Sequence, residues 1–98
     1  MTNKWDTAET AELLEALLKL RNSSEYKLFL RDLLTEAEII EFSLRWKAAR
    51  MLQAKVPYTK IVAETGLSST TVARISKWLK GGKGGYRLML KRMKKGVQ

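Results

Sequence analysis

Apolar residues recur along this 98-residue chain at the three-to-four-residue spacing of helices, and no stretch alternates with the period of two that a half-buried strand requires. Leu13, Leu14, Leu17, Leu18 and Leu20 make one broad face with Ala11 at its edge, which predicts a first helix capped by Asp6 or Thr7 and running to about Leu20. Trp5 precedes it as a hydrophobic staple would. Asn22-Ser23-Ser24 breaks the helix, and Ser23 or Ser24 starts a short second one through Tyr26, Leu28, Phe29, Leu30 and Leu33. Thr35-Glu36-Ala37-Glu38 matches the capping box, in which Thr35 and Glu38 satisfy each other's backbone donors, and opens a long third helix to about Ala54. Its apolar positions, among them Ile39, Phe42, Trp46, Ala49 and Leu52, spread over most of the circumference, so it should be a central helix covered on more than one side.

Pro57 stops that helix, and residues 58–79 read as a helix-turn-helix. Ile61, Leu67, Val72 and Ile75 fall where two such helices bury apolar side chains, Gly66 falls where the chain must turn with positive φ, and Ser68 or Ser69 can cap the second helix. Helix pairs of this kind also occur in ordinary bundles. The surface left over favours DNA: Ser69, Thr70, Ala73, Arg74 and Lys77 form a small, polar, basic face with no carboxylate. Four glycines within 80–85 predict a flexible connector or a loop with positive φ, and a last helix follows over about 86–94, with Tyr86, Met89, Leu90 and Met93 on one side. The predicted fold is all-α, a single domain of about six helices.

Charge placement sharpens this picture. Residues 1–41 carry five Lys/Arg against nine acids, a balance of −4, whereas residues 42–98 carry fourteen against Glu64 alone, a balance of +13. An acidic half joined to so basic a half is the electrostatic footprint of a polyanion binder, because each neutralised phosphate releases condensed counterions. The absence of Cys and His removes thiol nucleophiles, disulfides, imidazole and thiolate metal sites and the commonest general base, so no catalytic residue, metal or cofactor is expected and the chain is not read as an enzyme. No apolar run approaches the roughly 20 residues that span a bilayer, which fits a soluble, cytoplasmic protein without a membrane partner. Trp46 and Trp78 sit within helical apolar patterns and read as core or interface residues rather than base-stacking groups.

Leu34-Thr35-Glu36-Ala37-Glu38 opening the long helix, then Gly66, Ser69-Thr70-Thr71-Val72-Ala73-Arg74 and Leu79-Lys80 give residues 30–94 a pattern that resembles the tryptophan repressor family, in particular the repressor-related proteins of Gram-positive bacteria. The resemblance implies an intertwined homodimer whose first helices, about 7–54, make a shared core from which two helix-turn-helix units project onto double-stranded DNA. It places Ser69, Thr70 and Ala73 at base edges and Tyr58 and Thr71 at phosphates, with Ser68 and Lys77 beside them. Thr59 or Lys60 takes a position where the repressor reads guanine with an arginine, and neither offers that bidentate fork, so a different operator is expected.

The ligand pocket that the family implies is matched only in part. Counted from the capping box, Arg45 matches the first of the two arginines that clamp tryptophan there, or Leu44 does if the chain drops a residue inside the long helix, and Arg74 matches the second; Ile75 stands in place of a glycine that makes room for the indole, and Trp78 in place of a serine. Both changes remove space or a polar partner, so the pocket is expected to be closed. In the simpler reading, Arg74 stacks on Trp78 one helical turn on, and Arg45 pairs with Glu41.

These features favour a homodimeric, sequence-specific DNA-binding transcription regulator that does not respond to tryptophan. The alternative is a basic adaptor for RNA, an acidic protein or a membrane surface, acting through the C-terminal half. Location separates the two: the first needs its signal in 58–79, the second in the tail.

Overall fold

The computed structural model describes residues 3–96 and contains six helices and, among those residues, no strand. They are α1 (Ala8–Leu18), α2 (Ser23–Leu33), α3 (Glu36–Gln53), α4 (Tyr58–Thr65), α5 (Ser69–Gly81) and α6 (Gly85–Gly96). The chain divides into two compact units, Met1–Ile39 and Ile40–Gln98.

In the first unit every helix start is held by a side chain. Thr7, not Asp6, caps α1, its Oγ1 accepting from the Thr10 amide at 3.2 Å. α2 begins at Ser23, one of the two starts expected, and Asn22 caps it: its Oδ1 accepts from the Glu25 amide at 3.0 Å, while Glu25 Oε1 accepts from the Arg21 amide at 2.8 Å. The Thr35/Glu38 box forms in full, with bonds of 3.1 and 2.9 Å. α1 stops at Leu18, earlier than expected, because the chain tightens there into bonds from the Lys19 and Leu20 amides to Ala16 and Leu17. Trp5 is 61% exposed and does not act as a staple. Capping is complete, but burial is not. None of the described residues of this unit is buried, and Leu18 and Leu28 are 81% and 72% exposed.

The second unit has a core. Ala48 and Ala49 of α3, Ile61 of α4 and Val72 and Ile75 of α5 are wholly buried, with Trp46, Leu52, Val62, Leu67 and Tyr86 packed around them. α3 is less covered than its pattern suggested: only its two alanines are buried, and Ile40 and Phe42 lie exposed. Gly66 ends α4 in the left-handed region at φ 73°, where a side chain would be strained, and its amide bonds to the Val62 carbonyl at 2.9 Å. α5 runs two residues past its expected end at 79, and at Gly82 a Cβ would lie 2.6 Å from the Trp78 carbonyl oxygen, so glycine alone lets the chain leave the helix there. α6 is correspondingly longer than 86–94 at both ends.

Candidate nucleic-acid interface

Two apolar stripes create the helix-turn-helix. Ile61 on α4 and Val72 and Ile75 on α5 turn inward, and between them the buried Thr65 hydroxyl donates to the Ile61 carbonyl at 2.7 Å and accepts from the Leu67 amide at 3.2 Å. Thr65 is absent from the sequence expectations; its buried hydroxyl ties the last turn of α4 to the partly buried Leu67 amide. Its spacing of four from Ile61 and two from Leu67 is the only signal it leaves.

Ser68 rather than Ser69 caps α5: its Oγ accepts from the Thr71 amide at 3.1 Å and meets the Thr71 hydroxyl at 2.9 Å. The two hydroxyls expected beside phosphates are therefore engaged with each other and fix the start of the helix. Ser69, Thr70, Ala73, Arg74 and Lys77 are all exposed, along the side of α5 that does not pack. Exposed backbone N–H groups at a helix start, with its positive dipole end, suit a phosphate. At the start of α4, Tyr58 is 44% exposed and Thr59 and Lys60 lie beside it in the open. Glu64, the one acid of the basic half, stands 3.9 Å from Lys60 Nζ, four residues before it, and 4.0 Å from Lys47 Nζ; the first spacing is visible in the sequence and the second is not. Pairs this exposed are weak, so Lys60 remains available to a stronger anion.

The four residues of the implied ligand pocket have other partners. Arg45 Nη2 lies 2.7 Å from Glu41 Oε2, the Arg74 guanidinium sits 5.8 Å from the Trp78 ring centroid, and Ile75 is wholly buried in the core. Trp78 is 42% exposed, and so is not a core residue. Trp46 instead stacks on Tyr86, with centroids 6.4 Å apart and planes at 17°. An apolar hollow of about 540 Å³ opens between Trp46, Trp78, Tyr86 and Met89, and neither arginine lines it.

The family model described as Trp repressor protein matches residues 8–94. The chain belongs to the Trp repressor family. This is a family of regulatory DNA-binding proteins rather than enzymes. Over 86 residues, 88% of this chain and 83% of the relative, the protein is 36% identical to the uncharacterized protein YerC of Bacillus subtilis. Among solved structures, a TrpR like protein from Eubacterium eligens superimposes with a TM-score of 0.87 at 33% identity, covering 94% of this chain and 95% of that one. A putative Trp repressor from Staphylococcus aureus gives 0.86 at 32% identity, with 95% and 96% covered. Among the described residues no helix is long and apolar enough to cross a membrane, and no group of three or more acidic, His or Cys side chains is placed to hold a metal.

Proposed function

We propose that this Trp repressor family member is a homodimeric transcription regulator that reads duplex DNA through α5 and does so without tryptophan. The observation that carries this reading is the exposed, carboxylate-free face of α5, held at its start by Ser68 and backed by an inner face on which Val72, Ile75 and Ser76 are buried. Ser69, Thr70 and Ala73 would meet base edges, and Tyr58, Thr59, Lys60, Ser68, Thr71 and Lys77 the backbone. Thr70→Ala and Ala73→Ser are expected to change which base is preferred at one position of each half-site, worth about 1–3 kcal/mol of discrimination. Lys77→Ala should weaken all sequences alike. Quantitative binding to a panel of single-base operator variants checks this, and a preference untouched by both α5 changes would remove α5 from the reading role.

Ile75 supports tryptophan independence, because it occupies with core packing the place of a glycine that makes room for the indole in the repressor. Arg45 is held by Glu41 and Arg74 lies over Trp78. A reading head already fixed by its own side chains gains nothing from a ligand, since a ligand shifts an equilibrium only by its differential affinity for the two states. Calorimetry should find no millimolar-or-better tryptophan binding, and DNA affinity should be equal with and without it. A tenfold gain on adding tryptophan would restore Arg45 and Arg74 as a ligand clamp.

A further inference from the structure

The cations of the basic half are not where the reading head is. Residues 58–79 carry Lys60, Arg74 and Lys77 against Glu64, whereas residues 80–95 carry seven Lys/Arg and no acid. Of the three head cations, Arg74 lies over the Trp78 ring and Lys60 is weakly paired with Glu64. On α6 the cations are not scattered. Tyr86 and Leu90 are partly buried, while Arg87, Lys91 and Lys94 follow one another at helical spacing and, together with Leu90 and with Gln53 of α3, line a hollow of about 290 Å³. All three are exposed, and no ion pair among the described residues involves any of them. Like charges held this close repel one another unless an external anion sits between them.

From this placement we propose that the Arg87/Lys91/Lys94 stripe of α6 is a second DNA-contacting surface that grips backbone phosphates outside the bases read by α5. It rests on the DNA-binding reading above and divides the labour within it. α5, poor in free cations, supplies sequence discrimination, and α6 supplies sequence-independent, salt-sensitive affinity. Duplex DNA is the fitting occupant because a row of monovalent cations along one helix matches a row of phosphates, each contact releasing about 0.9 of a counterion. The amide of Gln53 adds a neutral donor of the kind that also meets phosphate oxygens.

The test is a salt titration of DNA binding by the full chain, comparing wild type with R87Q/K91Q/K94Q and with the charge-preserving R87K/K91R/K94R, using one preferred and one scrambled duplex. Gln retains the helix-forming character of these exposed positions, and circular dichroism confirms that each variant is folded. The Gln variant is expected to flatten the dependence of log K on log salt by roughly 2 to 3 for each bound protomer. It should lower affinity at 0.1 M salt at least tenfold for both duplexes, keep their affinity ratio within about twofold, and be rescued by the charge-preserving variant. An unchanged slope overturns the proposal while leaving α5 reading intact. An unchanged slope combined with loss of binding to anionic phosphatidylserine vesicles would assign the stripe to a membrane surface instead. Failure of the α5 reading is a separate outcome: wild type would then bind both duplexes equally.

Discussion

Ile75→Ala is expected to lower the stability of the fold by about 2–5 kcal/mol, the range for deleting a buried aliphatic side chain. The upper part of the range applies because, among the described residues, the fully buried apolar core comprises Ala48, Ala49, Ile61, Val72 and Ile75, and Ile75 is among its three largest members. Two alanines opposite cannot expand into the space, so the cavity persists. A domain of this size has a total stability of about 5–15 kcal/mol, and each kcal/mol shifts the midpoint by about 4–8 °C. Thermal unfolding followed by circular dichroism should therefore show a midpoint at least about 10 °C lower, with the α4–α5 pair loosened and DNA binding weakened at ambient temperature. A loss below about 1 kcal/mol would mean that Ile75 is not the packing centre of the reading head.

The second large effect is on self-association. α1 and α2 contain no buried residue, and Leu14, Leu18, Leu28 and Leu33 of one unit and Ile40 and Phe42 of the other remain about half exposed or more. Apolar surface of this extent marks an interface, and a second copy is the occupant that the family membership supports. Dimerisation through residues of about 7–54 is thus proposed to be coupled to folding. The unfolding midpoint should rise with protein concentration, each tenfold increase adding about 1.4 kcal/mol to apparent stability. Phe42→Asp should convert the dimer to a largely unfolded chain at micromolar concentration, as read by sedimentation and circular dichroism together. A folded wild-type monomer at micromolar concentration would contradict the coupling.

Most helix boundaries were legible because they depend on neighbouring residues alone. The Thr35/Glu38 box and the Gly66 turn can be recognised from four residues or one, and the structure forms both. The start of α2 at Ser23 is legible in the same way, with Asn22 before it as the cap. Tertiary relations were less legible. The burial of Ile75 and the Arg74–Trp78 stack follow from helical spacing, but whether Trp78 belongs to the core or to an interface does not, and within this chain it is 42% exposed. The pattern of α3 asks for cover on several sides, yet within one chain Phe42 is half exposed, because periodicity records how much surface is buried and not which chain buries it. The role of Thr65 and the pairing of Glu64 are illegible for a related reason: a hydroxyl and a carboxylate take their roles from what the fold brings near them.

Selection from a random duplex pool at fixed salt should enrich a two-fold related sequence whose half-sites lie about one helical turn apart, as two reading heads of a symmetric dimer require. Thr70→Ala should select a sequence changed at symmetric positions, and adding tryptophan should change neither outcome. A pool that shows no enrichment, or an enriched sequence that the Thr70 and Ala73 changes leave unaltered, would contradict sequence reading by α5.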